Sequence, residues 1–108
     1  MDAAHRLLAA LIARDPGPAE ALFAPSACLW WSQRGGLASV EGPGTTTREL
    51  IGLLEASTPT RLAIVANGAG SAVTSAYADD AIAWSLELRV EGSAIVGGYL
   101  RGAKLRLP

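Results

Sequence analysis

A chain of 108 residues, half of them hydrophobic, has room for one compact domain with a modest core and none for a second. Nine basic residues against ten acidic ones, spread without runs, give a net charge of −1 and no basic stripe or patch of the kind that holds nucleic acid or an anionic membrane. A single cysteine, Cys28, excludes an internal disulfide framework and fits a reducing compartment.

Asp2 precedes any basic residue, and His5, Arg6 and Arg14 interrupt the apolar positions of the first fifteen residues. The opening therefore matches neither a signal peptide nor a membrane span, and the expectation is a cytoplasmic protein. Within it, Ala4, Leu7, Leu8, Leu11 and Ile12 recur at helical spacing. The spacing predicts an amphipathic helix over Ala3 to Ala13, capped by Asp2 and closed by Arg14 at its negative end. Asp15-Pro16-Gly17-Pro18 breaks it, and Pro18 at a first helical position with Glu20 behind it starts a short second helix through Leu22 and Phe23, stopped by Pro25. Ala27 to Ser32 is rich in strand formers and reads as the first strand, which puts Trp30 and Trp31 on opposite faces.

Gln33 to Gly44, with four glycines and a proline, reads as a loop with room for a short strand at Leu37 to Val40. Thr46 and Glu49 have capping-box spacing at the head of a third helix whose buried face is Leu50, Ile51, Leu53 and Leu54, and Pro59 ends it. Thr60 to Ala66 and Ser71 to Ala78 then form a hairpin through Asn67-Gly68-Ala69-Gly70. Beyond the Asp79-Asp80 turn, Ile82, Trp84, Leu86, Leu88 and Val90 fall on every second position of Ala81 to Glu91. That is a strand with one buried face, worth about 1.5–3 kcal/mol for each side chain removed from water. Glu91-Gly92-Ser93 turns the chain into a last strand, Ala94 to about Arg101, in which Gly97-Gly98 marks a bulge or a close backbone approach. The fold class is α+β: a curved antiparallel or mixed sheet wrapped around N-terminal helices, a cone in the order α-α-β-α-β-β-β-β.

The run AALIARDPGPAEALFAPSACLWW is similar to the opening of the nuclear transport factor 2-like superfamily, the cystatin-like α+β cone of ketosteroid isomerases and polyketide cyclases, and TTTRELIGLL resembles the third helix of those proteins. In the isomerases an aspartate base on the first strand faces an oxyanion hole made by a first-helix tyrosine and a protonated aspartate on a later strand. By order of elements, this resemblance places those groups at Trp31, Leu7 and Leu86, none of which moves a proton. A positioned acid or base is worth roughly 10²–10⁴ in rate, so the resemblance implies the fold without that reaction. It also implies a pocket lined by Leu7, Trp31, Trp84 and Leu86, suited to a planar apolar ligand, with Tyr99 and Tyr77 offering a hydroxyl at its mouth. The plainer alternative is that these side chains simply fill the core. Members of the superfamily often pair through the outer sheet face, which implies a homodimer meeting over Ser85, Glu87, Arg89, Val73, Ser75 and Tyr77; a solvated face is the alternative.

Other candidates carry less. His5, the only histidine, lies off the apolar stripe, and one histidine with a distant Cys28 supplies no metal site. Cys28 reads as a small buried hydrophobe. Gly42-Pro43-Gly44-Thr45-Thr46 has the look of an anion cradle but lacks the lysine and spacing of a P-loop, and Gly68-Ala69-Gly70 is a hairpin turn and no dinucleotide fingerprint. Arg101, Lys104 and Arg106 form a small basic tail, a frayed end or an edge-strand protector. The residues imply no cofactor. The reading is a non-catalytic ligand-binding or dimerisation domain; the alternative is an isomerase, cyclase or dehydratase using Glu41 or Tyr99, with Glu55 a further acid near the rim.

Overall fold

The computed structural model describes residues 2–33 and 35–102. Helix α1 spans Ala3–Ile12, α2 Pro16–Glu20, strand β1 Phe23–Gln33, β2 Gly36–Glu41, helix α3 Pro43–Ser57, and strands β3 Arg61–Gly68, β4 Ser71–Ala78, β5 Ala81–Glu91 and β6 Ala94–Arg101. The six strands form one open mixed sheet in the order β2-β1-β6-β5-β4-β3. Only β1 and β6 run parallel; every other pair is antiparallel. The helices lie together on one face, α1 over β3 and β4 and α3 over β1 and β2, with α2 bridging them. No described helix is long and apolar enough to cross a membrane.

Strand β5 runs over the expected residues, and Trp84, Leu86 and Leu88 are buried beneath the helices. Its partners on this face are Ala76, Thr74 and Ala72 of β4 on one side and Leu100 and Gly98 of β6 on the other. Small residues beside large ones let the helices close down on the strand. At Gly98 the constraint is explicit: a Cβ there would lie 3.3 Å from Leu86 Cδ1 and 3.4 Å from Leu88 Cδ2, so the two leucines fold over a position that has no side chain. Ile82 departs from the alternation and is 59% exposed. Between Ala76↔Trp84 and Tyr77↔Ile82 the β5 strand carries one extra residue, Ala83, and this bulge reverses the phase so that Ile82 pairs with Tyr77 on the outer face.

Other boundaries moved for local reasons. The second helix ends at Glu20 instead of continuing through Leu22 and Phe23; β1 begins at Phe23, shifts its register against β6 between Phe23 and Cys28, the stretch that holds Pro25, and is tied in when Ile95 N–H donates to Leu22 O at 2.8 Å. The short strand beyond Gln33 is present as β2. The third helix begins at Pro43 with Gly42 as N-cap, so Thr46 lies inside the helix, buried, and makes no capping box with Glu49. Strand β6 sits in the middle of the sheet, which rules out an edge-protecting role for Arg101; Lys104 and Arg106 lie outside the described residues.

Two polar arrangements hold the helices in place. At the head of α1 the Asp2 carboxylate accepts from His5 N–H at 2.9 Å, from Asn67 Nδ2 at 2.7 Å and contacts His5 Nδ1 at 2.8 Å, fastening the helix to the β3–β4 hairpin. The backbone donor of His5 first, then the Asn67 amide and the His5 ring, hold this carboxyl far below its ordinary value of 3.8. At the far end of α3, Trp84 Nε1 donates to Ser57 Oγ at 3.1 Å, and Ser57 Oγ donates to Leu53 O at 2.6 Å. Trp31 Nε1 is equally buried and has no partner among the described residues.

Because the folded-state pKa of Asp2 is depressed, its contribution is present above pH 3.8 and is lost as the pH falls below that value. Asp2→Asn keeps a competent cap without the charge. Its melting temperature is therefore expected to lie below that of the wild type at neutral pH, and the gap to close on acidification; parallel Tm-against-pH curves would contradict the assignment. Ser57→Ala orphans a buried indole donor and should lower the unfolding free energy by about 1–3 kcal/mol in urea denaturation. By the same reasoning Trp31→Phe, which removes a donor that already lacks a partner, should cost less than Trp84→Phe.

Candidate functional site

The interior of the cone is built from four side chains that the sequence brought forward: Leu7 from α1, Trp31 from β1, and Trp84 and Leu86 from β5. Each is at most 2% exposed, and all four belong to one apolar cluster with Leu11, Leu29, Leu50, Leu54 and Leu100. Trp31 lies between Ala38 and Leu100, and Leu86 between Thr74 and Leu100. None of the four lines any of the three surface concavities described below. Among the described residues the buried polar side chains are Thr46, Thr47, Thr74 and Ser75, and none of these titrates.

Tyr99 does not join them. Leu100 takes the inner side of β6, so alternation sends Tyr99 outward, where its hydroxyl meets Ser32 Oγ at 2.6 Å and Arg101 lies over its ring at 5.2 Å. Tyr77 is on the same outer face, under the Arg61 guanidinium at 4.1 Å, so neither tyrosine offers a hydroxyl to the interior. Cys28 is likewise placed outward: Leu29 and Trp31 claim the inner face of β1, and the thiol is half-buried with its sulfur 3.6 Å from Ser26 O. His5 is an exposed helix residue engaged with Asp2, a pairing that its three-residue separation from the cap could have signalled. Glu41 and Glu55 are exposed on β2 and α3. The Gly42–Thr46 stretch opens α3, and Glu20 Oε1 at 3.7 Å and Arg48 Nη1 at 3.8 Å from where a Gly44 Cβ would be bring both signs of charge to it. No group of three or more histidine, cysteine, aspartate or glutamate side chains able to hold a metal occurs among the described residues.

Among the described residues, three concavities on the surface bear on the site. One, of about 620 Å³, is a shallow alanine-rich trough between α1 and α2, edged by Arg6 and Asp15. A second, of about 290 Å³, lies between Asp2, Asn67 and the Gly92-Ser93 turn. The third, of about 240 Å³, is on the outer sheet face, with Cys28 and Trp30 on one side, Glu87 and Arg89 on the other, and Gly97 between them. The Gly97-Gly98 pair, alone in the sequence as a glycine doublet within a strand, was the one signal for this groove; which side chains flank it depends on a parallel β1–β6 register that pattern reading does not give.

No family model matches the chain, and no curated protein matches it. Solved structures do. A protein of unknown function with a cystatin-like fold from Methylobium petroleophilum superposes with a TM-score of 0.65 at 12% identity, covering 97% of this chain and 76% of its own. A nuclear transport factor 2-like protein of unknown function from Mesorhizobium loti gives 0.64 at 17% identity over 90% and 84% of the two chains. A de novo designed protein with a curved β-sheet gives 0.60 at 12% identity over 89% and 81%, so the likeness extends to a protein that shares only the architecture. At these identities the likeness is one of shape: the chain has the nuclear transport factor 2-like, cystatin-like fold.

Proposed function

We propose that the chain is a single non-catalytic cytoplasmic domain that works as a homodimer, two copies meeting across the outer face of β4 and β5. The observation that carries this reading is Ile82, turned outward by the Ala83 bulge and 59% exposed beside Tyr77. Val73 shares this face, and the Ser75 and Ser85 hydroxyls, 3.0 Å apart, leave its centre low and flat. A two-fold contact must be complementary to itself. Apolar side chains around the two serines, flanked by both signs of charge, Arg61 beyond Tyr77 and Glu87 beside Arg101, meet that condition.

The non-catalytic part of the reading is supported by what the interior is made of. By the resemblance to the isomerases, Leu7, Trp31 and Leu86 stand where a tyrosine, an aspartate base and a protonated aspartate would act, and a positioned base or oxyanion donor is worth roughly 10²–10⁴ in rate. They are buried against one another and against the leucines of α3.

Sedimentation velocity over a wide concentration range tests the dimer. The wild type should show a concentration-dependent shift from monomer to dimer, and Ile82→Glu should raise the dissociation constant about thirty-fold or more, as loss of a central apolar anchor does, with an unchanged melting temperature because the side chain is exposed. A wild type that stays monomeric throughout would refute the proposal.

A further inference from the structure

The outer-face groove borders the proposed dimer patch and shares Glu87 with its edge, but a single protomer supplies all of its walls. We propose that it binds a small planar aromatic carboxylate, the ring stacked on Trp30 and the carboxylate held by Arg89. Cys28, Gly97 and Arg89 are paired in one row across β1, β6 and β5, and Trp30, Tyr99 and Glu87 in the next. The span from β1 to β5 is two strand spacings, about 10 Å, which is the length of a fused bicycle carrying a carboxylate. Pockets for larger ligands run from about 300 Å³ upward, so a groove of about 240 Å³ selects one or two rings.

The charge of the ligand follows from which polar groups are already engaged. Glu87 Oε1 is bonded to Arg101 Nε at 2.8 Å, and the Tyr99 hydroxyl to Ser32. Arg89, exposed and across Gly97 from Cys28, forms neither an ion pair nor a side-chain hydrogen bond among the described residues. The groove therefore keeps one unspent cation, which favours an anion. Glu41, the other outer-face carboxylate on this side, pairs with Cys28 from β2 and is not part of the lining. Trp30 is 42% exposed, an indole face turned to water at the edge of the hollow.

Gly97 supplies the independent argument. A Cβ there would meet nothing closer than Cys28 O at 3.5 Å, an ordinary contact, and the residue is not among those with positive φ. Neither packing nor backbone requires glycine at this place. What its missing side chain does is deepen the floor between Trp30 and Arg89.

Calorimetric titration with 2-naphthoate and its neutral isostere 2-naphthamide tests this. The wild type should bind naphthoate saturably at one site per protomer and the amide about ten-fold more weakly, as expected for a charge-assisted contact. Arg89→Gln should erase the difference between the two, and Gly97→Val should abolish both while leaving the melting temperature intact. Absence of saturable binding, or binding undiminished in Gly97→Val, overturns the proposal. The same titration on Ile82→Glu separates it from the dimer: retained binding places the site in one protomer, and loss of binding would overturn a site built by one protomer alone.

Discussion

The inner face of β5 is the constraint the rest of the molecule answers to. Trp84, Leu86 and Leu88 form a continuous apolar row along the middle of the sheet, and their cover is α1 on one flank and α3 on the other. Covering three large side chains requires room beside them, and the neighbouring strands provide it with Ala72, Thr74 and Ala76 on β4 and Gly98 on β6. Close packing then removes what would otherwise be a hollow, because the interior of a cone this small is filled by two tryptophans and the leucines that touch them.

The strands do not keep phase from end to end, and where they lose it the outer face gains its character. Ala83 on β5, Val65 on β3 and Val96 on β6 are each an extra residue opposite an uninterrupted neighbour. A bulge bends its strand and increases its twist, as a sheet that curls around helices needs. It also hands a side chain to the other face. Ile82 is exposed for that reason, and Val65 is 52% exposed at the bulge itself. The curvature that makes the cone and the apolar residues on its outside are two results of one set of bulges.

Element type and order were legible because the signals were local. Asp2 before an apolar stripe, proline pairs between helices, and strict alternation from Trp84 to Val90 each fix a conformation over a few residues, and the structure follows them. What was illegible depended on partners far along the chain. The Thr46–Glu49 spacing looked like a cap, but the β2 strand ends at Glu41 and leaves Gly42 to start the helix earlier. Tyr99 and Cys28 were misplaced by pattern alone, since which of two adjacent residues turns inward is decided by the pairing of β6 with β1, a contact between opposite ends of the sequence. Leu7, Trp31, Trp84 and Leu86 were expected to line a pocket and lie buried in one cluster; alternation along a strand says only which residues share a face and not whether space is left between them.

A core of this kind also determines where chemistry can reside. An ionised group in the interior would need a partner to offset its desolvation, and the buried polar side chains here are threonines and serines. Among the described residues the charged side chains make their contacts away from the apolar cluster, for example Asp2 with His5 and Asn67 at the head of α1, Arg14 with Leu11 O at its end, and Arg61 with Tyr77 and Glu87 with Arg101 on the outer sheet face. Arg101 is held on two sides, by the carboxylate and by the Tyr99 ring, and Tyr99 is held in turn by Ser32 on β1. That chain of contacts engages Glu87, which stands on the same side of the groove as Arg89, and takes it out of competition for the guanidinium. Among the described residues Arg89 then remains without an ion pair or side-chain hydrogen bond beside the glycine floor, which is why the site we propose is expected to discriminate between ligands by charge.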